Sequence, residues 1–108
     1  MNTVEYIQVI TVAGSKEEAD KISQVVVEKR LAGCVQVFGP TTSIYWWKGK
    51  VEKAEEWLCL IKSRTDLYEE LESTIRQVHS YKVPEILTMT VTKGSKSYFD
   101  WLESELKK

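Results

Sequence analysis

His79, Tyr81 and Glu85 fall within seven residues, in the segment His79-Ser80-Tyr81-Lys82-Val83-Pro84-Glu85. Imidazole and carboxylate groups suit zinc or copper, and a phenol hydroxyl can orient either of them. The expectation is a divalent metal ion, copper or zinc, held by His79 and Glu85, with Tyr81 as a binding group beside it. First-row metal sites usually take three or four protein ligands, so this set is short for one chain. A plainer reading stands next to it. His79, the only histidine, would sit at a helix C-terminus, where the helix dipole favours a cation. Tyr81 would fill a crevice and Glu85 would pair with a lysine.

Other groups could also bind. Arg30, Lys62, Arg64 and Arg76 could line an anion pocket, with Arg30 and Lys62 the leading residues for a small ligand. Glu17-Glu18, Glu55-Glu56 and Glu69-Glu70 could gather cations. Such charges are more often solvated faces. Cys34 and Cys59 lack a CxxC arrangement and have apolar neighbours, so they read as small buried hydrophobes. Trp46 and Trp47 beside Lys48 and Lys50 could stack on bases, but an interface hairpin is the better reading. Gly94-Ser95-Lys96-Ser97 lacks the earlier glycine of a phosphate loop. No Ser-His-Asp set or paired catalytic carboxylates can be assembled, so the expectation is a binding protein and not an enzyme.

The 108 residues make one domain, 1–108, and 43% hydrophobic content is enough for a core. Four tryptophans, five tyrosines and two phenylalanines exceed what a small monomeric core readily hides, which points to subunit contacts. A net charge of −1 argues against nucleic acid, whose binding needs a basic field. No apolar run reaches membrane-spanning length. Met1-Asn2-Thr3-Val4-Glu5 does not read as a secretory leader. With two unframed cysteines, the expectation is a cytoplasmic protein.

The elements that must position these residues read strand, helix, strand, strand, helix, strand, helix. Tyr6 to Ala13 is rich in β-branched residues. Ser15 and Glu18 form a capping box for a helix that buries Ala19, Ile22 and Val26. Gly33 is the expected left-handed cap at that helix's end. Cys34 to Phe38 is extended, Gly39-Pro40 marks an irregularity, and Thr42 to Trp47 is extended again. Lys48-Gly49-Lys50 turns the chain back into Glu52 to Lys62. The result is a long hairpin projecting from the sheet. Asp66, with Glu69, is expected to cap a second helix that buries Leu67, Leu71, Ile75 and Val78. Pro84 forces Val83 to be extended, and Glu85 to Thr92 is the fourth strand. A last helix, started by Ser97 with Asp100 or by Ser95, carries Tyr98, Trp101, Leu102 and Leu106.

This βαββαβ order predicts an α+β, ferredoxin-like sandwich: a four-stranded antiparallel sheet, a long hairpin between strands two and three, and an extra C-terminal helix. Ile44-Tyr45-Trp46-Trp47 and Trp57-Leu58-Cys59-Leu60-Ile61 are apolar at consecutive positions, as in strands buried on both faces. One domain has too few helices for that, so another subunit is expected to supply the second cover.

Four segments carry a resemblance. They are Arg30-Leu31-Ala32-Gly33-Cys34-Val35, Thr42-Ser43-Ile44-Tyr45-Trp46-Trp47-Lys48-Gly49-Lys50, Leu60-Ile61-Lys62-Ser63-Arg64, and His79 through Leu87. In this order and at these spacings they resemble the CutA divalent-cation tolerance proteins, from the first strand to Tyr98-Phe99-Asp100-Trp101-Leu102. The resemblance implies a homotrimer with sheets around a three-fold axis and a role in tolerance of divalent cations, copper above all. The family's loop places proline after the histidine, where this chain has Ser80, which implies a less rigid loop. Some members have been linked to copper through a cysteine near the end of strand one; here that region is Ile10-Thr11-Val12-Ala13, without a thiol. A trimer like the PII nitrogen regulators, binding an anion or nucleotide, is the alternative that shares this architecture. An acylphosphatase-like hydrolase comes last.

Overall fold

The computed structural model describes residues 4–108; Met1, Asn2 and Thr3, on which part of the N-terminal reading rested, lie outside them. The chain runs β1 (Tyr6–Ala13), α1 (Lys16–Glu28), β2 (Cys34–Trp47), β3 (Lys50–Arg64), a short 3-10 turn (Thr65–Leu67), α2 (Tyr68–Val78), β4 (Ile86–Val91) and α3 (Lys96–Glu105). All pairings are antiparallel, in the order β2-β3-β1-β4. This is the expected four-stranded α+β sheet.

Period-two alternation decides which side chains enter the core. Ile7 and Val9 of β1 are joined by Cys59 and Ile61 of β3. Ala19, Ile22 and Val26 of α1 and Leu71 and Ile75 of α2 belong to the same cluster, as do Leu31, Leu102 and Leu106. Ile7 is opposite Ser63 in the ladder, while its neighbour Tyr6 is opposite Arg64. Tyr6 and Arg64 therefore project from the other sheet face, and α3 meets them there. Phe99 stacks on Tyr6 with ring centroids 4.6 Å apart, and Glu103 pairs with Arg64 at 3.0 Å. The third helix thus covers one end of the second face. Leu87 and Met89 on that face stay exposed.

The hairpin is as long as expected. β2 and β3 pair from Cys34↔Lys62 out to Trp47↔Lys50, with the register shift between Phe38 and Thr41 falling on Gly39-Pro40. Lys48 and Gly49 both have positive φ, 51° and 81°, as a two-residue type I′ turn requires. The last β1 partner of β3 is Trp57, paired with Ala13. Beyond it, among the described residues, the two strands pair only with each other, and the molecule measures 49 × 25 × 22 Å.

Two caps differ from expectation. Gly33 is not the left-handed residue after α1; Arg30 is, at φ 59°. The Leu31 amide bonds the Val26 carbonyl and the Arg30 amide bonds that of Val27, which is a Schellman closure with arginine at the left-handed position. Arg30 is held there because Nη1 donates to the Glu105 carbonyl and side chain, each at 3.0 Å. Gly33 serves packing instead: a Cβ there would run into Leu102. Asp66 does not cap α2, which starts at Tyr68 after the 3-10 turn and has no side-chain cap. The Asp66 carboxylate is taken by Arg64. For α3, Ser95 is the cap, accepting from the Tyr98 amide at 3.3 Å.

Candidate functional site

The loop after α2 is tied down at each successive residue. His79 leaves the helix in an extended conformation, and its side chain is wholly buried. Nε2 donates to the Val12 carbonyl at 2.7 Å, and Nδ1 accepts from the Tyr81 amide at 3.1 Å. These two partners define the tautomer with the proton on Nε2. Ser80 donates from its amide and its hydroxyl to the Glu18 carboxylate, at 2.6 and 3.0 Å. Ser15 does accept from the Glu18 amide at 3.1 Å, as a capping box requires. The other half of the box is given up, because the Glu18 side chain holds the loop.

Tyr81 then crosses the end of β1. Its hydroxyl lies where a Cβ on Gly14 would come within 2.9 Å of it, so glycine is what lets the hydroxyl end of the ring approach the backbone just after β1. The hydroxyl donates to Glu56 Oε2 at 2.8 Å. Burial first, then the hydrogen bond and charge of Glu56, push the Tyr81 hydroxyl well above the ordinary phenol range, so it remains a donor. Glu56 itself is only 7% exposed.

A cleft of about 630 Å³ opens beside this pair. The hairpin supplies one wall with Ser43, Ile44, Tyr45 and Trp47, and Val12 and Glu56 form the floor. Tyr81, Lys82, Val83 and Glu85 supply the other wall. A second depression, about 420 Å³, is lined by α2 alone and encloses nothing.

The expected residues are therefore divided. Tyr81 and Glu85 meet at the cleft. His79 stands behind it, and with both ring nitrogens bonded it has no lone pair to offer a metal in this arrangement. Arg30 and Lys62 are not part of the cleft: the Arg30 side chain donates to Glu105 of α3, and Lys62 donates to Gln36 at 2.8 Å. Among the described residues no three His, Cys, Asp or Glu side chains converge as a metal would need. The oxygen donors present, Glu56, Glu85 and Tyr81, do not make a copper site within one chain. Cys59 is buried and its thiol pushed up, chiefly by burial, so it packs as a hydrophobe.

Glu56, which the sequence reading grouped with surface carboxylates that gather cations or face solvent, is buried and is a functional candidate. Its signal was available in the strand period: two residues before Leu58, which pairs with Val12, it must project from the same face as both.

The model of the family described as "CutA1 divalent ion tolerance protein" matches residues 7–105. The chain is 37% identical over 91 residues to a divalent-cation tolerance protein CutA of Archaeoglobus fulgidus, covering 84% of this chain and 88% of the relative. It is 39% identical over 99 residues to that of Thermus thermophilus, covering 92% and 95%. A solved divalent cation tolerance protein (Cut A1) from Thermus thermophilus superposes with a TM-score of 0.92 at 35% identity, over 94% of this chain and 99% of that one.

Proposed function

The chain belongs to the CutA1 divalent ion tolerance family, and from that premise we propose that it acts in tolerance of divalent cations, copper above all. It works as a cytoplasmic homotrimer that binds a metal ion or small ligand at the cleft beneath Tyr81. The observation that carries this reading is the Tyr81–Glu56 pair at 2.8 Å in the floor and wall of a cleft that also holds Glu85. A buried carboxylate held ready beside an open cleft is a binding feature, since such groups are costly to bury without a partner.

The apolar surface supports assembly. Trp46 is 74% exposed, and Val51, Leu87 and Met89 are exposed with it. A patch of that kind marks an interaction site, and a neighbouring copy would supply the second cover that the hairpin and sheet lack. Any bound copper or zinc would draw on Glu85 and on donors from that copy, because one chain has too few. His79 positions the Tyr81 loop. The PII-like alternative, an anion held by Arg30 and Lys62, has less support, since both side chains are engaged elsewhere.

Native mass spectrometry with and without sub-stoichiometric copper(II) and zinc(II) tests the reading. A trimer taking up metal supports it in full. A trimer that ignores both ions narrows it to a small ligand. A monomer overturns the assembly.

A further inference from the structure

Resting on the reading of the cleft as a ligand site, we infer that its ligand is a small organic cation: a protonated amine on an apolar or aromatic body. Glu56 carries this. It is nine-tenths buried, and among the described residues the Tyr81 hydroxyl is its one hydrogen-bond donor. Among the described residues it forms no ion pair. A carboxylate has about four acceptor positions, and a buried one is normally matched by a cation. Here the face of Glu56 not used by Tyr81 meets the cleft, so the matching cation comes from outside the chain.

The walls select the kind of cation. A bare metal ion needs several converging oxygen, nitrogen or sulfur donors, and the described residues of one chain bring no such group together, so a metal would depend on a second copy. What surrounds Glu56 instead is aromatic and aliphatic: Tyr45, Trp47 and Tyr81, with Val12 beneath. Ring faces attract ammonium groups, and the Lys48 ammonium already lies 5.9 Å from the Trp47 ring centroid. The volume, about 630 Å³, is in the range of small-molecule pockets, about 300–1,000 Å³. Glu85 at the wall adds a second carboxylate. Lys82 also lines the cleft, but it is exposed and, among the described residues, makes no ion pair with Glu56.

The full-length protein in its native assembly is titrated by calorimetry with benzylammonium, with benzyl alcohol as the neutral counterpart, and with zinc(II). Saturable benzylammonium binding is expected, with benzyl alcohol about tenfold weaker or more, the scale of one charge-assisted contact. Glu56→Gln keeps an oxygen acceptor for Tyr81 but removes the charge. It should weaken benzylammonium about tenfold and leave benzyl alcohol unchanged. Equal binding of amine and alcohol, or an unaffected E56Q variant, overturns the organic-cation class. The comparison in the unaltered protein decides the question even if E56Q does not fold. Zinc or alcohol binding without amine preference refutes this inference alone. No binding of any probe refutes it together with the cleft reading.

Discussion

His79 holds Tyr81 by its backbone: the imidazole spans from the Val12 carbonyl at 2.7 Å to the Tyr81 amide at 3.1 Å. The ring is thus a strut between the end of β1 and the loop that walls the cleft. His79→Ala removes both bonds and leaves a buried carbonyl without its donor. A loss of about 2–4 kcal/mol is expected in urea denaturation, from two hydrogen bonds and an orphaned group. Metal stoichiometry by native mass spectrometry should stay as in the parent protein. A loss of bound metal at unchanged stability would restore His79 as a ligand.

Tyr81→Phe removes the donor to Glu56 and leaves that carboxylate buried without it. The expected cost is about 1–3 kcal/mol. The alkaline limb should change as well. Because the Tyr81 hydroxyl is raised in the folded state, its contribution is fully present below the unfolded-state value near 10 and is lost as pH rises above it. Tyr6, Tyr68 and Tyr98 are also raised, so the parent curve contains all four. The difference between the parent and Tyr81→Phe isolates one. Superimposable alkaline curves would contradict the Tyr81–Glu56 bond.

Thr11→Val should stabilise. Thr11 is fully buried, and among the described residues its hydroxyl has no hydrogen-bond partner. Valine has nearly the same shape, so the exchange removes an unsatisfied group without opening a cavity. A gain of up to about 1–2 kcal/mol follows, readable as a raised thermal midpoint. A clear loss would mean that the hydroxyl is satisfied in solution.

Arg64→Met should loosen α3. The guanidinium, nine-tenths buried, binds Asp66, Glu103 and the Lys107 carbonyl. Removing it leaves the two carboxylates unpaired, though both are partly solvated. A cost of about 2–3 kcal/mol is expected, below that of a fully buried pair. Hydrogen exchange should speed up across residues 96–105 before the rest of the chain. Uniform acceleration would show that Arg64 serves the whole sheet.

What could be read from the sequence is what depends on near neighbours. The bounds of β1, the buried face of α1, the break at Gly39-Pro40 and the tight turn at Lys48-Gly49 all follow from local pattern and local backbone chemistry. The Schellman closure at Arg30 was hidden, because arginine at a left-handed position is stabilised by Glu105, seventy-five residues away. The Asp66 cap failed for the opposite reason: Arg64, two residues before it, outcompetes the helix amides. In the site, Tyr81 and Glu85 were evident from their segment. Glu56 was not, since its value lies in Tyr81, twenty-five residues on. Glu18, readable as a cap, is diverted to Ser80 across sixty-two residues.

Among the described residues, the hairpin arm beyond Ala13↔Trp57 has no third strand and contributes no residue to the hydrophobic cluster. A two-stranded ribbon of that kind is marginal in water. Its order must then be borrowed from whatever covers Trp46, and under the assembly proposed above that lender is another copy. Stability becomes a mass-action quantity: the thermal midpoint rises with protein concentration, and simple dilution works as a denaturant, melting the arm first.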